Sequence, residues 1–281
     1  MFWQTSRRKF SLEKTLVMAI LNVTPDSFSD GGKFFALDEA LKQAEKFAAE
    51  GADIIDIGGE STRPKSVRVS AEEEIRRVVP VIEAVAKRFD IPVSIDTSKA
   101  QVAEKAVDAG AEIINDISGL RFDEQIAEAA AKYKTGLVLM HLPRGTFETM
   151  HEQKPVENIV REVADGFKFS TEKAVSYGVK TEQIALDVGI GFGKTFAQNL
   201  ELIAKLDKLV KEFPDYPLLV GSSRKSFIGK ILENVPAAER LNGSLASAAI
   251  AVWNGAKIVR VHDVRETKEI LKVTESLKKM S

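Results

Sequence analysis

The sequence predicts an α/β fold, a closed TIM-type (β/α)8 barrel, and three observations carry the prediction. Eight short apolar runs punctuate the chain, and each ends in polar or charged residues of the kind that do chemistry. Amphipathic stretches with helical spacing separate them, the alternation expected of parallel strands buried on both faces and joined by crossover helices. Finally, 281 residues suit one barrel, so residues 1–281 read as a single domain with residues 1–15 as an N-terminal extension.

The elements follow in order. The N-terminal stretch reads as a strand pair across the barrel floor, and Leu16–Leu21 then forms an apolar run ending at Asn22. Over residues 36–50, Leu37, Ala40, Leu41, Ala44, Phe47 and Ala48 share one helical stripe, stopped by Gly51. Ile54-Ile55 leads into Asp56. Ser70-Ala71-Glu72-Glu73 has the form of a capping box opening a helix towards Phe89, and Pro92 introduces Val93-Ser94-Ile95 before Asp96. Ile113-Ile114 precedes Asn115-Asp116, Leu137–Met140 precedes His141, and Ile184-Ala185-Leu186 precedes Asp187. Leu218-Leu219-Val220 runs into Gly221-Ser222-Ser223-Arg224-Lys225, and Ile258–Val261 into His262-Asp263. Helices are expected over about 99–109, 123–133, 156–177, 198–212, 243–253 and 265–279.

Composition narrows the function. Hydrophobic residues at 44% and charged residues at 29% are near the globular average, and no apolar run approaches the roughly 18–20 residues of a membrane span. Met1–Phe10 carries charge but no following apolar region or small-residue cleavage site, so a soluble, cytoplasmic protein without a membrane partner is expected. The absence of cysteine excludes disulfides, thiolate metal sites and a cysteine nucleophile. A net charge of -1 offers no basic stripe for nucleic acid.

What lies beyond the strands indicates a site at the barrel rim. Asn22–Gly32 is a long polar loop with Pro and Gly punctuation, a functional loop by its length. Asp56-Ile57-Gly58-Gly59-Glu60-Ser61-Thr62-Arg63-Pro64 combines glycines that permit close backbone approach with an arginine fork suited to phosphate. Arg63, Lys225 and Arg260 arise from different strands and point to a multiply charged anion, beside which a carboxamide and a carboxylate of the first loop suit a hard cation. Asp96, Asn115, Asp187 and Lys225 offer donors and acceptors for a flat heterocycle with amino and oxo edges, walled by Ile117, Met140 and Phe192. No nucleophile elbow signals a hydrolase triad. Asp56 and Asp116 read as helix caps and His151 as an exposed loop residue, while His141 fits equally a hydrogen-bonded rim histidine or a ligand.

Six segments together resemble the dihydropteroate synthase family: Asn22–Gly32, Asp56–Pro64, Ser94–Thr97, Asn115–Gly119, Asp187–Lys194 and Gly221–Ser226. The resemblance spans nearly the whole chain in order. It implies a folate-pathway transferase that joins p-aminobenzoate to 6-hydroxymethyl-7,8-dihydropterin diphosphate with release of pyrophosphate, requires Mg2+, and acts as a homodimer. Carried over residue by residue, Asp96, Asn115, Asp187 and Lys225 would bind the pterin. Asn22, Arg63, Arg260 and His262 would bind the diphosphate, with Asn22 also at the metal. Thr62, Pro64, Phe192, Ser223 and Lys225 would frame p-aminobenzoate, and Phe28 and Asp30 would belong to a loop closing over the reacting centre. The chain departs from the pattern twice: Leu142–His151 replaces the Met-Gln-Gly and later Pro and Met-Gln that often follow the histidine, and Lys65-Ser66 replaces a frequent Gly-Ala. A methyltetrahydrofolate–corrinoid methyltransferase and a catalytically silent pterin-binding protein are the alternative readings.

Overall fold

The computed structural model describes residues 1–24, 33–63, 66–143, 145–153 and 155–280. Eight parallel strands close into a barrel: β3 (Leu16–Asn22), β4 (Ile54–Gly58), β5 (Val93–Asp96), β6 (Ile113–Asp116), β7 (Gly136–Met140), β8 (Ile184–Asp187), β9 (Leu218–Val220) and β10 (Ile258–Val261), with β10 pairing both β9 and β3.

Helices wrap the strands: α1 (Lys33–Ala49), α2 (Ala71–Arg88), α3 (Ala100–Asp108), α4 (Gln125–Tyr133), α5 (Ile159–Ser176), α6 (Phe196–Ala204), α7 (Leu206–Glu212), α8 (Ser226–Ile231), α9 (Leu241–Trp253) and α10 (Val264–Lys278). The Ser70 hydroxyl caps α2 by accepting from the Glu73 N–H at 3.2 Å. One helix expected over 198–212 is instead two, because Lys205 leaves helical geometry at φ -108°, ψ 21° and splits α6 from α7. The short α8, directly after the Ser223–Lys225 loop, had no sequence signal of its own.

Alternation along each strand divides the interior into two bodies. One face, including Val17, Ala19, Ile55, Ile57, Ile95, Ile114, Leu139, Leu186 and Val220, packs against helix residues such as Val78, Ala103, Ala130, Phe167 and Leu202. The other face fills the barrel itself with Leu16, Met18, Ile54, Ile113, Val138, Ala185, Leu219 and Ile258. A hairpin of β1 (Phe2–Gln4) and β2 (Lys9–Ser11) packs on this inner cluster. Its Trp3 is fully buried, stacks on Phe10, and donates its indole N–H to the Gln183 carbonyl at 2.8 Å. That tie closes the floor and leaves the opposite rim for chemistry.

Candidate active site

Counting by twos from the inner cluster towards the rim gives the site. Met18 leads to Asn22, Ile54 to Asp56 and Gly58, Ile113 to Asn115 and Ile117, Val138 to Met140, Ala185 to Asp187, and Ile258 to Arg260 and His262. Strand register sets Asn22, Gly58, Asp96 and Asn115 side by side on four successive strands. A Cβ at Gly58 would lie in ordinary van der Waals contact with Asp96 and the Asn22 amide oxygen, which places those two groups on either side of this strand position.

At the centre, the Arg260 guanidinium forks between two carboxylates, Nε to Asp56 Oδ2 and Nη2 to Asp96 Oδ2, each at 2.6 Å. Asn115 Nδ2 also donates to Asp56 Oδ2, at 3.0 Å. Asp56 therefore does not cap a helix; its parity turns it inward to hold Arg260 and Asn115 in register. Burial opposes the charge on Arg260, but Asp56 and Asp96 outweigh it and hold the guanidinium protonated. Burial pushes the Asp96 carboxyl up to about 7, against the pull of Arg260 and Lys225. Asp187 is raised by burial too, while the Gly189 N–H donates to it at 2.8 Å and favours the carboxylate.

The loops after β8 and β9 supply two lysines with different tasks. Lys194 is buried, and its ammonium donates to the carbonyls of Gly189 at 2.8 Å, Phe192 at 3.1 Å and His141 at 3.3 Å, tying the glycine-rich turn to β7. Burial brings it down to about 7. The Lys225 ammonium sits 4.2 Å from the Phe192 ring centroid, and burial together with Arg260 lowers it to about 8. Its stem passes Gly191, which has φ +85° and no side chain to obstruct it. Ser223 Oγ and His262 Nδ1 lie 3.0 Å apart, and burial with Arg224 and Arg260 lowers His262 to about 3, so the ring is neutral.

An apolar wall brings Ile117, Met140 and Phe192 together with Leu142, Phe147 and Met150. These last three come from the divergent loop after β7, to which the sequence reading gave no wall residue. His151 is also a correction: it is half-buried, its Nε2 donates to the Thr62 carbonyl at 2.7 Å, and its ring stacks on Phe192. Opposite strand parity removes two other polar residues. Asp116 turns away from the barrel centre and orders its own loop by accepting from the N–H groups of Ser118 (2.8 Å) and Leu120 (2.7 Å). His141 lies against Gly166 of α5, with neither ring nitrogen hydrogen-bonded among the described residues, and burial holds it neutral.

The loop after β4 is anchored at its roots and exposed at its tip. Lys99 bridges Glu60 (2.9 Å) and Glu74 (2.6 Å), and Glu60 accepts from the Val69 N–H across the loop. Ser66 Oγ lies 2.5 Å from the Ser61 carbonyl and 2.7 Å from that of Arg63, so this serine, one of the departures from the family pattern, pins the turn. Arg63 is exposed on it. Phe28, Asp30 and Pro64 lie outside the described residues. Glu60 and Lys194 lie within segments the sequence marks, but nothing in their spacing gives them a role, and Lys99 carries no signal at all.

A closed parallel barrel whose rim joins buried carboxylates, a carboxamide and cations above an apolar wall has the site of a barrel enzyme, at the C-terminal ends of its strands. Residues 18–262 match the family of pterin binding enzymes. Over 94% of this chain and 91% of its relative, it is 48% identical to the dihydropteroate synthase of Synechocystis sp.. The crystal structure of the Yersinia pestis dihydropteroate synthase with a sulfonamide drug superposes with a TM-score of 0.91 at 44% identity, covering 100% of both chains. That of Xanthomonas albilineans dihydropteroate synthase with 4-aminobenzoic acid gives 0.91 at 38% identity, covering 99% of this chain and 98% of that one. The chain belongs to the dihydropteroate synthase family, transferases of folate biosynthesis.

Proposed function

We infer that the site condenses 6-hydroxymethyl-7,8-dihydropterin diphosphate with p-aminobenzoate to give 7,8-dihydropteroate and pyrophosphate. The observation that carries this reading is the Asp56–Arg260–Asp96 fork with Asn115 and Asp187 beside it, a rigid donor–acceptor frame at the mouth of the barrel. In the proposed arrangement Asp96, Asn115, Asp187 and Lys225 read the edges of the pterin, while Ile117 and Met140 pack on its faces. Arg63, Arg260 and His262 receive the diphosphate. Thr62, Phe192, Ser223 and Lys225 border p-aminobenzoate.

In the reaction the pterin's exocyclic C–O bond breaks, its electron pair leaves with pyrophosphate, the arylamine nitrogen bonds to the carbon, and the amine gives up a proton. No enzyme nucleophile is required. Buried carboxylates at Asp96 and Asp187 favour positive charge on the pterin if the C–O bond breaks first, and a rate nearly independent of arylamine basicity is expected for that order.

The residues also fit Mg2+. Asn22 presents an amide oxygen beside Asp96, a hard donor, and Mg2+ commonly takes one or two protein oxygens and completes its shell with substrate phosphates and water. Bound there, the ion would neutralise charge on the departing diphosphate. Among the described residues no cluster of three acidic or histidine side chains is found.

For assembly, α9 and α10 expose Ile250, Trp253, Val273 and Leu277, an apolar set suited to a homodimer interface. Among the described residues no helix is long and apolar enough to cross a membrane. The deciding experiment supplies both substrates and Mg2+ and measures both products: equal, metal-dependent formation of dihydropteroate and pyrophosphate is expected, with Asn22→Ala raising the Mg2+ needed for half-maximal rate about tenfold. Pterin diphosphate binding without turnover would return the chain to the silent binder.

A further inference from the structure

The loop after β7, where the chain departs from its family's pattern, is also the segment that grips the loop after β4. Two separate contacts cross between them. His151 Nε2 lies 2.7 Å from the Thr62 carbonyl, and because a carbonyl only accepts, Nε2 must carry the proton, which fixes the tautomer. Six residues towards the other end of the exposed turn, the Arg68 guanidinium lies 5.5 Å from the centroid of the Phe147 ring. Phe147 and Met150 are themselves buried in the apolar wall, so the gripping loop has a fixed base.

The second function of the same imidazole is its stack on Phe192, with ring centroids 5.2 Å apart and planes 24° from parallel. Phe192 in turn meets the Lys225 ammonium. One side chain thus joins the carbonyl of Thr62, the Phe192 ring and, through that ring, Lys225. We propose that His151 is a positioning and specificity-determining residue, a latch that holds the loop after β4 across the arylamine side of the site and aligns the Phe192 ring there. The proposal rests on the assignment of that side to p-aminobenzoate. Holding the loop in advance lowers the ordering cost that arylamine binding would otherwise carry, so the latch acts on affinity for the second substrate rather than on the pterin.

The side-chain chemistry makes the test specific. Glutamine can bring an amide N–H to the position of Nε2; asparagine is too short. His151→Ala and His151→Asn are expected to raise KM for p-aminobenzoate about tenfold, the scale of the ring stack lost together with the imidazole's hydrogen bonds to the Thr62 and Gly191 backbone. For both variants kcat should fall less than threefold, with affinity for the pterin diphosphate within twofold of the parent. His151→Gln should recover most of the loss. Trypsin cleavage after Arg68, measured on the full chain without substrates, should accelerate in the alanine variant and return towards the parent rate in the glutamine variant. If cleavage responds but no variant, nor the parent, forms dihydropteroate, the arylamine assignment fails and the latch stands. If the parent turns over normally and neither KM nor cleavage moves in His151→Ala, or if glutamine rescues nothing, the latch is overturned.

Discussion

The two walls of the site are built by different physics. One wall is carried on strands: Asn22, Asp56, Asp96, Asn115, Asp187 and Arg260 stand on a closed ladder, and the Arg260 fork with Asp56, Asp96 and Asn115 ties its centre together. The opposite wall is carried on loops, where Thr62, His151, Phe147 and Phe192 meet through one hydrogen bond, one stack and one cation–ring contact. A strand-borne wall cannot change without disturbing the fold that carries it, whereas a loop-borne wall can be retuned nearly free of that constraint. Among the described residues, the chain's departures from its family's pattern at Leu142, Phe147, Met150, His151 and Ser66 fall on the second wall or the loops that carry it, as this difference leads one to expect.

The largest effect should come from the strand wall. Arg260→Met leaves Asp56 and Asp96 buried beside each other without their cation, and breaking a buried pair in this way costs about 3–5 kcal/mol. Urea unfolding should show that loss alongside abolished turnover; a change under about 1 kcal/mol would mean the wall is not coupled to the fold at all. A pH measurement sharpens the same point. His262 is held neutral in the folded protein, with a pKa near about 3, against about 6.5 when unfolded. Its folded value is depressed, so below pH about 6.5 the unfolded chain takes up the extra proton, and stability drains by up to about 1.4 kcal/mol per pH unit as pH falls towards 3. Asp96, Asp116 and Asp187, all raised by burial, work in the opposite direction, so the quantity to compare is the difference between the parent and His262→Asn. The variant's acid limb should be shallower.

Parity explains what could be read in advance and what could not. The barrel, its strand ends and most helices follow from hydrophobic period, and Asp96, Asn115, Asp187, Lys225, Arg260 and His262 converge on one rim because strand ends in a closed parallel sheet have nowhere else to go. Adjacent residues of similar type, however, need the phase of the alternation. Asn115 and Asp116 differ by one position, and only the first faces the barrel; Met140 and His141 differ likewise. Asp56 reads as a helix cap for the same reason, since in a run buried on both faces nothing local announces which side a residue takes. The loop contacts of His151 and Phe147 were beyond reach for another reason: their partners, Thr62 and Arg68, are some eighty residues earlier, and no short-range pattern encodes such a meeting.

The smallest stability effect should be found on the loop wall, and it discriminates because it is small. Thr149 Oγ1 accepts from the Thr146 N–H at 2.8 Å and closes the turn that presents Met150 and His151. Thr149→Val keeps the shape and β-branching but removes that acceptor, at an exposed site where water replaces the lost partner, so global stability should fall by less than about 1 kcal/mol. Arylamine affinity should nonetheless weaken about threefold, because the turn aims the His151 ring whose stack and hydrogen bond hold the wall together. Unfolding midpoint and KM for p-aminobenzoate, measured on the same preparation, give the ratio of the two effects. A variant that lost stability on the scale of Arg260→Met while leaving KM untouched would show the two walls to be one mechanical unit, and the site's division into a fixed half and a tunable half would have to be abandoned.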